Sequence, residues 1–181
     1  GHTTMGAELT IGFTVTGHRD SMPLTVSGAQ SGDVLVLTRP IGSGVILAAD
    51  MMGQANGRFV AAALTIMGQA QNREAAVLAP IAHAMTDVTG FGLAGHVKTM
   101  CEASELDAEL WQAAIPIYAG AQALSDAGGA STLMPVNRTD ALIQGGADVL
   151  LYDPQTAGGL LAAVPAEQSG AVIDALGATG C

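Results

Sequence analysis

Leu9, Ile11, Phe13 and Val15 alternate with polar neighbours, so residues 8–16 read as a half-buried strand. Gly17 ends the alternation, and the polar stretch through Pro23 places a domain boundary within residues 17–32. The apolar run from Val34 to Leu37 predicts a short buried strand, stopped by Pro40. A Gly-rich turn then feeds a helix over residues 44–52. Gly53 to Gly57 break it, and Phe59, Ala62, Ala63 and Ile66 resume helical spacing over residues 58–67. Asn72 is placed to cap a further helix over residues 72–78, which Pro80 terminates.

The second half continues in the same rhythm. It predicts a strand near residues 82–86, a helix over 92–103 and a strand near 108–111. A helix within IPIYAGAQALSDAGG ends at Gly128 and Gly129, and NRTDALIQGG reads as a short capped helix. Strands at 148–152 and 160–164 flank the loop DPQTAGG, and an amphipathic helix over 166–176 follows. Strands and helices alternate, yet the last two strands are close enough to be antiparallel neighbours. The expected fold is α+β in a layered α/β arrangement, a mixed β-sheet packed with helices.

Composition narrows this picture. With 181 residues the chain fits one domain, or one domain and a piece of another. Hydrophobic residues make up 49% but aromatics only 3%, which favours closely packed α/β layers over an aromatic-rich sandwich. Mean hydropathy is +0.40. The formal charge of −10 repels phosphate backbones and argues against nucleic acid as a partner. An anionic ligand would need a metal ion, backbone N–H groups or a partner segment to neutralise it. Cys101 and Cys181 form neither a metal spacing nor a disulfide framework, so a reducing, cytoplasmic setting is expected. No apolar run approaches the roughly 20 residues that cross a bilayer, so no membrane partner is expected. The opening GHTTMGAELT lacks the pattern of a signal peptide and begins without Met inside a Gly-rich segment, so a fragment is expected.

Three stretches can carry chemistry. In AMTDVTGFGLAGH, Asp87 follows an apolar strand and precedes Gly90 and Gly92 at a helix start, where ligands gather in α/β folds. A carboxylate there would hold Mg²⁺ and not phosphate. The plainer reading is that Asp87, Thr86 or Thr89 caps the helix, and spacing alone leaves both open. DPQTAGG could let backbone approach a ligand, or could simply connect a hairpin. Gly1, His2 and Thr3 could present donors to a phosphate, or could be a frayed terminus. GSG at residues 42–44 lacks the Gly-Lys-Ser/Thr ending of a phosphate loop. The four histidines show no zinc spacing, no GxSxG marks a nucleophile elbow, and Cys101 reads as packing.

Taken in order, GHTTMGAELTIGFTVTG, GDVLVLTRPIGSGVILAA, AMTDVTGFGLAGH and LYDPQTAGGLLAAVP resemble the selenophosphate synthetase family, of the superfamily that holds aminoimidazole ribonucleotide synthetase. The resemblance covers almost the whole chain, and TDVTGFGLAGH and DPQTAGGLL are its most specific pieces. The family usually has Ser where Ala157 stands, and commonly Lys where Arg39 stands. The resemblance implies that residues 1–17 are the last strand of a truncated N-terminal ATP-binding domain. It makes residues 18–32 a linker and 33–181 a C-terminal α/β domain whose final strand is missing.

By the same resemblance Asp87 is a Mg²⁺ ligand, framed by Thr86, Thr89, Gly90 and Gly92 as a phosphate and metal loop. Gly1 and His2, with Thr3 beside them, match the segment that contacts ATP phosphates, across a homodimer interface in the family. The family's catalytic Cys or selenocysteine and its Lys lie upstream of this match, so no catalytic residue is assigned. The implied reaction of the parent protein converts ATP, selenide and water into selenophosphate, AMP and phosphate, and the fragment alone is expected to be inactive. The rival readings are a sister enzyme of the superfamily (aminoimidazole ribonucleotide synthetase, thiamine-monophosphate kinase or a hydrogenase-maturation type) and a non-catalytic dimerisation or scaffold module.

Overall fold

A computed structural model describes residues 13–18, 22–141 and 143–180. Three short strands, β1 (Val34–Leu37), β2 (Ala84–Asp87) and β3 (Leu160–Val164), form one sheet in the order β1-β3-β2. Both pairings are antiparallel, with Val34 opposite Val164 and Asp87 opposite Leu160. The parallel component of the expected mixed sheet is confined to a one-residue bridge between Ile41 and Ile117. β3 lies in the middle and is apolar throughout, LLAAV, because both of its faces are covered.

The helices are α1 (Ser43–Met51), α2 (Gly57–Met67), α3 (Asn72–Leu78), α4 (Gly92–Ser104), α5 (Ala121–Asp126), α6 (Met134–Asp140) and α7 (Ala166–Thr179). Strand periodicity sorts the core into two. Leu161, Ala163 and Ala84 meet Val45, Ile46, Leu93 and Val97 of α1 and α4 on one face. Val36, Ala162 and Val164 meet Leu78 of α3 and Val172 and Leu176 of α7 on the other. The layered α/β class expected from the sequence is thus present. The outer side of β2 is covered as well. Met85 N–H donates to the Thr25 carbonyl at 2.9 Å, Gly28 and Ala29 N–H donate to Ser104 Oγ at 3.2 Å, and His83 Nδ1 lies 3.0 Å from the Asp33 carboxylate. That strap blunts an edge that would otherwise be open to pairing.

Four local expectations need correction. Residues 13–16 are not strand, and Phe13 and Val15 stand 89% and 90% exposed, since alternation without a paired neighbour builds no ladder. Residues 8–12 lie outside the described residues. The segment 108–111 is irregular and leads into a 3-10 turn, Gln112–Ala114, with Trp111 largely exposed. The segment expected as a strand at 148–152 is a 3-10 turn, Val149–Tyr152, which the Asp148 carboxylate starts by accepting Leu150 N–H at 2.9 Å. A short buried apolar run does not itself distinguish these conformations. Finally, Asn72 and Asn137 are not caps. Gln71 precedes α3 without a side-chain bond, and Asn137 lies inside α6.

Candidate functional site

β2 and β3 deliver the two most distinctive loops to one end of the sheet. Asp87 is the last residue of β2, opposite Leu160. Val88 N–H donates to the Gly159 carbonyl at 2.8 Å, and Gln155 N–H donates to the Thr89 carbonyl at 3.0 Å. Gly158 lies against this crossing so closely that a Cβ would overlap the Val88 carbonyl oxygen. Gly92, at φ +70, faces a wall as well, because a Cβ there would sit 2.7 Å from the Tyr152 carbonyl carbon. The TDVTG turn and the DPQTAGG loop are therefore one packed unit.

DPQTAGG is not a hairpin link. The side chains of Asp153 and Gln155 are spent on the start of α1, while Thr156 is exposed. Gln155 Oε1 accepts from Gly42 N–H at 3.0 Å, from Ser43 N–H at 3.1 Å and from Ser43 Oγ at 3.0 Å. Asp153 Oδ2 accepts from Gly44 N–H at 2.9 Å and from Val45 N–H at 3.2 Å. Four N–H groups that a helix start leaves without intrahelical partners are so satisfied by another loop, and the carboxylate also meets the positive end of the helix dipole. Asp153 is fully buried, with Oδ1 lacking a hydrogen-bond partner. Burial pushes its pKa up to about 6, against the pull of the Val45 and Gly44 N–H groups and the Gln155 amide. Arg39 braces the loop tip by donating to the Ala157 carbonyl at 2.7 Å and to the Gln69 carbonyl.

The start of α4 is built differently. No side chain caps it, so Asp87, Thr86 and Thr89 do not play the capping role that spacing allowed. Thr89 N–H instead donates to His96 Nε2 at 2.9 Å, and the Thr89 carbonyl accepts Gly92 N–H at 3.1 Å. Thr86 is half-buried, with its hydroxyl directed at the Asp87 carbonyl at 3.3 Å. The Asp87 side chain is exposed and makes no hydrogen bond or ion pair among the described residues. Burial holds the His96 pKa below its usual value, opposed by the nearby charge of Asp87.

Sequence reasoning took Asn137 for a helix cap and missed what it ties together. This buried α6 residue donates from Nδ2 to the Gly90 carbonyl at 2.8 Å and to the Tyr152 carbonyl at 3.0 Å, tying the Asp87 turn to the segment that precedes Asp153. An amide with poor helix propensity in a helix interior was the available signal.

A hydrated Mg²⁺ fits an exposed, unpaired carboxylate, since Mg²⁺ keeps several waters and takes one or two protein carboxylates beside substrate phosphates. Asp87 is such a carboxylate. Among the described residues no group of three or more His, Cys, Asp and Glu side chains gathers to hold a metal. Gly1, His2 and Thr3 lie outside the described residues. Cys101 is half-buried beside a cavity of about 900 Å³ on the flank of α4, away from Asp87. Burial, and then Asp107 and Glu102, raise its thiol pKa, which disfavours a nucleophilic thiolate. Among the described residues no helix is long and apolar enough to cross a membrane.

Residues 30–181 match the family described as AIR synthase related protein, C-terminal domain. Among curated relatives, a selenide, water dikinase of Pelobacter propionicus is 37% identical over 196 residues, covering 99% of this chain and 55% of its own. One of Myxococcus xanthus is 37% identical over 193 residues, covering 99% and 54%. The chain spans about half the length of the curated relatives it matches. Among solved structures, the hydrogenase maturation protein HypE of E. coli superposes with a TM-score of 0.58 at 16% identity, over 84% of this chain and 41% of its own. That likeness concerns the fold.

Proposed function

The chain belongs to the AIR synthase related protein family through that family's C-terminal domain, and from that premise we propose that it is the C-terminal part of a selenide, water dikinase. The observation that carries this reading is that similarity to selenide, water dikinases extends along 99% of the chain, spanning both loops that meet at Asp87. The parent protein transfers phosphoryl groups from ATP, with selenide and water, to give selenophosphate, AMP and phosphate. Residues 1–17 end its ATP-binding domain, 18–32 link the domains and 33–181 form the C-terminal domain. It works as a cytoplasmic homodimer without nucleic-acid or membrane partners.

Within that reaction the chain's own residues position and neutralise. Asp87 offers its free carboxylate as one ligand to hydrated Mg²⁺, and Thr86, Thr89, Gly90 and Gly92 shape the turn around it. Gly1, His2 and Thr3 contact the nucleotide. Mg²⁺, when bound, offsets the triphosphate charge that an acidic surface of net charge −10 would otherwise repel. The resemblance puts the remaining ligands and the catalytic nucleophile in the other half of the enzyme, so this chain contributes half a site.

The test has two parts. The 181-residue chain alone is expected to form no AMP from ATP in the presence of selenide. In the parent enzyme, Asp87→Ala is expected to abolish Mg²⁺-dependent AMP formation with its circular dichroism unchanged. Full turnover after that substitution would refute the metal role of Asp87.

A further inference from the structure

Thr89 is held at both ends of its peptide environment. Its carbonyl accepts from Gln155 N–H at 3.0 Å and Gly92 N–H at 3.1 Å, while its own N–H is directed at His96 Nε2 at 2.9 Å. The Thr89 hydroxyl lies 3.3 Å from the same nitrogen. His96 is buried, and the Phe91 ring leans over it at a centroid distance of 5.8 Å and a 58° tilt. A ring nitrogen that accepts an N–H must keep its lone pair, so the proton of the neutral ring sits on Nδ1. The contact also disposes of an N–H that would otherwise stand half-buried without a partner, at a cost well above a lost surface hydrogen bond.

We propose that His96 is the positioning residue of the Asp87 turn: through Nε2 it fixes Thr89, and thereby the angle at which the chain leaves β2 and the Asp87 carboxylate faces its cation. The contact runs from the second turn of α4 back to the turn that starts the helix, so the helix itself sets the geometry of the loop. Two consequences follow. Thr89 N–H is spoken for and takes no part in anion binding. Gly90 and Phe91 N–H, which carry no partner among the described residues, remain available to a phosphate. The link to a cation rests on the role proposed for Asp87; the grip on Thr89 does not.

The test separates the two on the full chain. In the unmodified protein, long-range ¹⁵N–¹H spectra of the imidazole should show His96 protonated at Nδ1 and bare at Nε2 at neutral pH. A proton on Nε2 overturns the proposal without any variant having to fold. His96→Gln places an amide oxygen where Nε2 stands, whereas His96→Met fills the space without an acceptor. Exchange of the Thr89 amide should quicken about tenfold in His96→Met and stay within about twofold of the original in His96→Gln. Equal exchange in all three proteins overturns the proposal.

Mn²⁺ then serves as the probe, added to the parent enzyme and its two variants, where the remaining ligands of the site are present. Its broadening of the amide signals of residues 87–90 should need severalfold more ion in His96→Met and the same amount in His96→Gln. If those signals are indifferent to Mn²⁺ in the unmodified protein, the metal role of Asp87 fails while the hold on Thr89 is still judged by the first two measurements. If Mn²⁺ binds equally well in all three, His96 does not position the carboxylate.

Discussion

The starts of α1 and α4 lie at the same end of the sheet, and both follow glycine-rich turns, yet they are finished in opposite ways. At α1 the N–H groups of residues 42–45 are all taken by Gln155 and Asp153 from another loop, inside the core. At α4 no side chain caps the helix, Gly90 and Phe91 N–H are unpartnered among the described residues, and Asp87 is exposed. A helix start that the protein has filled for itself has no capacity left for an anion. A helix start left open beside a free carboxylate retains it. Of two motifs that look equally ligand-like in sequence, DPQTAGG closes the start of α1 and TDVTGFG leaves the start of α4 open.

Substitutions should therefore act on stability in the closed region and on function in the open one. The largest stability effect is expected from Gly158→Ala. The added methyl would overlap the Val88 carbonyl oxygen, a backbone atom pinned by the adjoining Val88–Gly159 hydrogen bond, so neither loop can yield without breaking the junction. Thermal or denaturant unfolding should show a loss of about 3 kcal/mol or more, or no folded protein at all. A loss below about 1 kcal/mol would mean that the two loops are not one rigid unit.

Next comes Asp153. Asp153→Ala leaves Gly44 and Val45 N–H buried and unpaired, for an expected loss of about 2 kcal/mol at neutral pH. Asp153→Asn keeps an acceptor and removes a buried charge, and should be neutral or stabilising at the same pH. The pH dependence follows from the raised pKa. Between its ordinary value of 3.8 and about 6, the folded chain holds a proton that the unfolded chain has released. Stability is therefore highest below that window and declines as pH rises through it, by about 3 kcal/mol at most. The Asn variant should lose this slope in chemical denaturation run across the window. A slope of the same size in the Asn variant would place its origin elsewhere.

This division between a closed and an open helix start was only partly legible in the sequence. α2 was readable because its apolar positions recur at helical spacing, β1 and β3 because each is a short apolar run bounded by turn residues, and Gly53, Pro80 and Gly128 punctuate the chain where helices stop. The 3-10 turn Val149–Tyr152 was not, because VLLY is an equally short apolar run, with Leu150, Leu151 and Tyr152 buried, and such a run does not itself tell a strand from a turn. Residues 13–16 show the converse: alternation is a property of side chains, while a strand also needs a neighbour to pair with. At the site, the place of Asp87 at the end of a strand and before a helix start was legible, and that is where it stands. The roles of Asp153, Gln155 and Asn137 were hidden because each bonds to backbone more than a dozen residues away or more, and side chain–backbone bonds of that range leave no local pattern. His96 was in plain view within the quoted motif, but a search for metal spacing passes over a histidine whose partner is an amide.

A smaller loss is expected at Asn137, which tests the tie between the two regions. Asn137→Leu fits the volume but leaves the Gly90 and Tyr152 carbonyls without their shared donor, at a cost of about 1–2 kcal/mol. Because one of those carbonyls belongs to the Asp87 turn, exchange of the residue 90–92 amides should quicken more than that of the α1 amides. Equal acceleration at both helix starts would show that Asn137 supports the fold at large and not the turn.

The smallest stability effect should come from Asp87→Asn, and that smallness is informative. The carboxylate makes no hydrogen bond or ion pair among the described residues, and Asp87 is held through its backbone in register with Leu160, which the amide leaves intact. A carboxylate retained for structure would be capping a helix or bonding another side chain, as Asp153 and Asp33 do with N–H groups and the His83 ring. Asp87 does neither, so its removal should change the unfolding free energy by no more than about 0.5 kcal/mol. A clear destabilisation in denaturant unfolding would mean that the charge serves the fold, and the contrast between a closed α1 start and an open α4 start would lose its functional half.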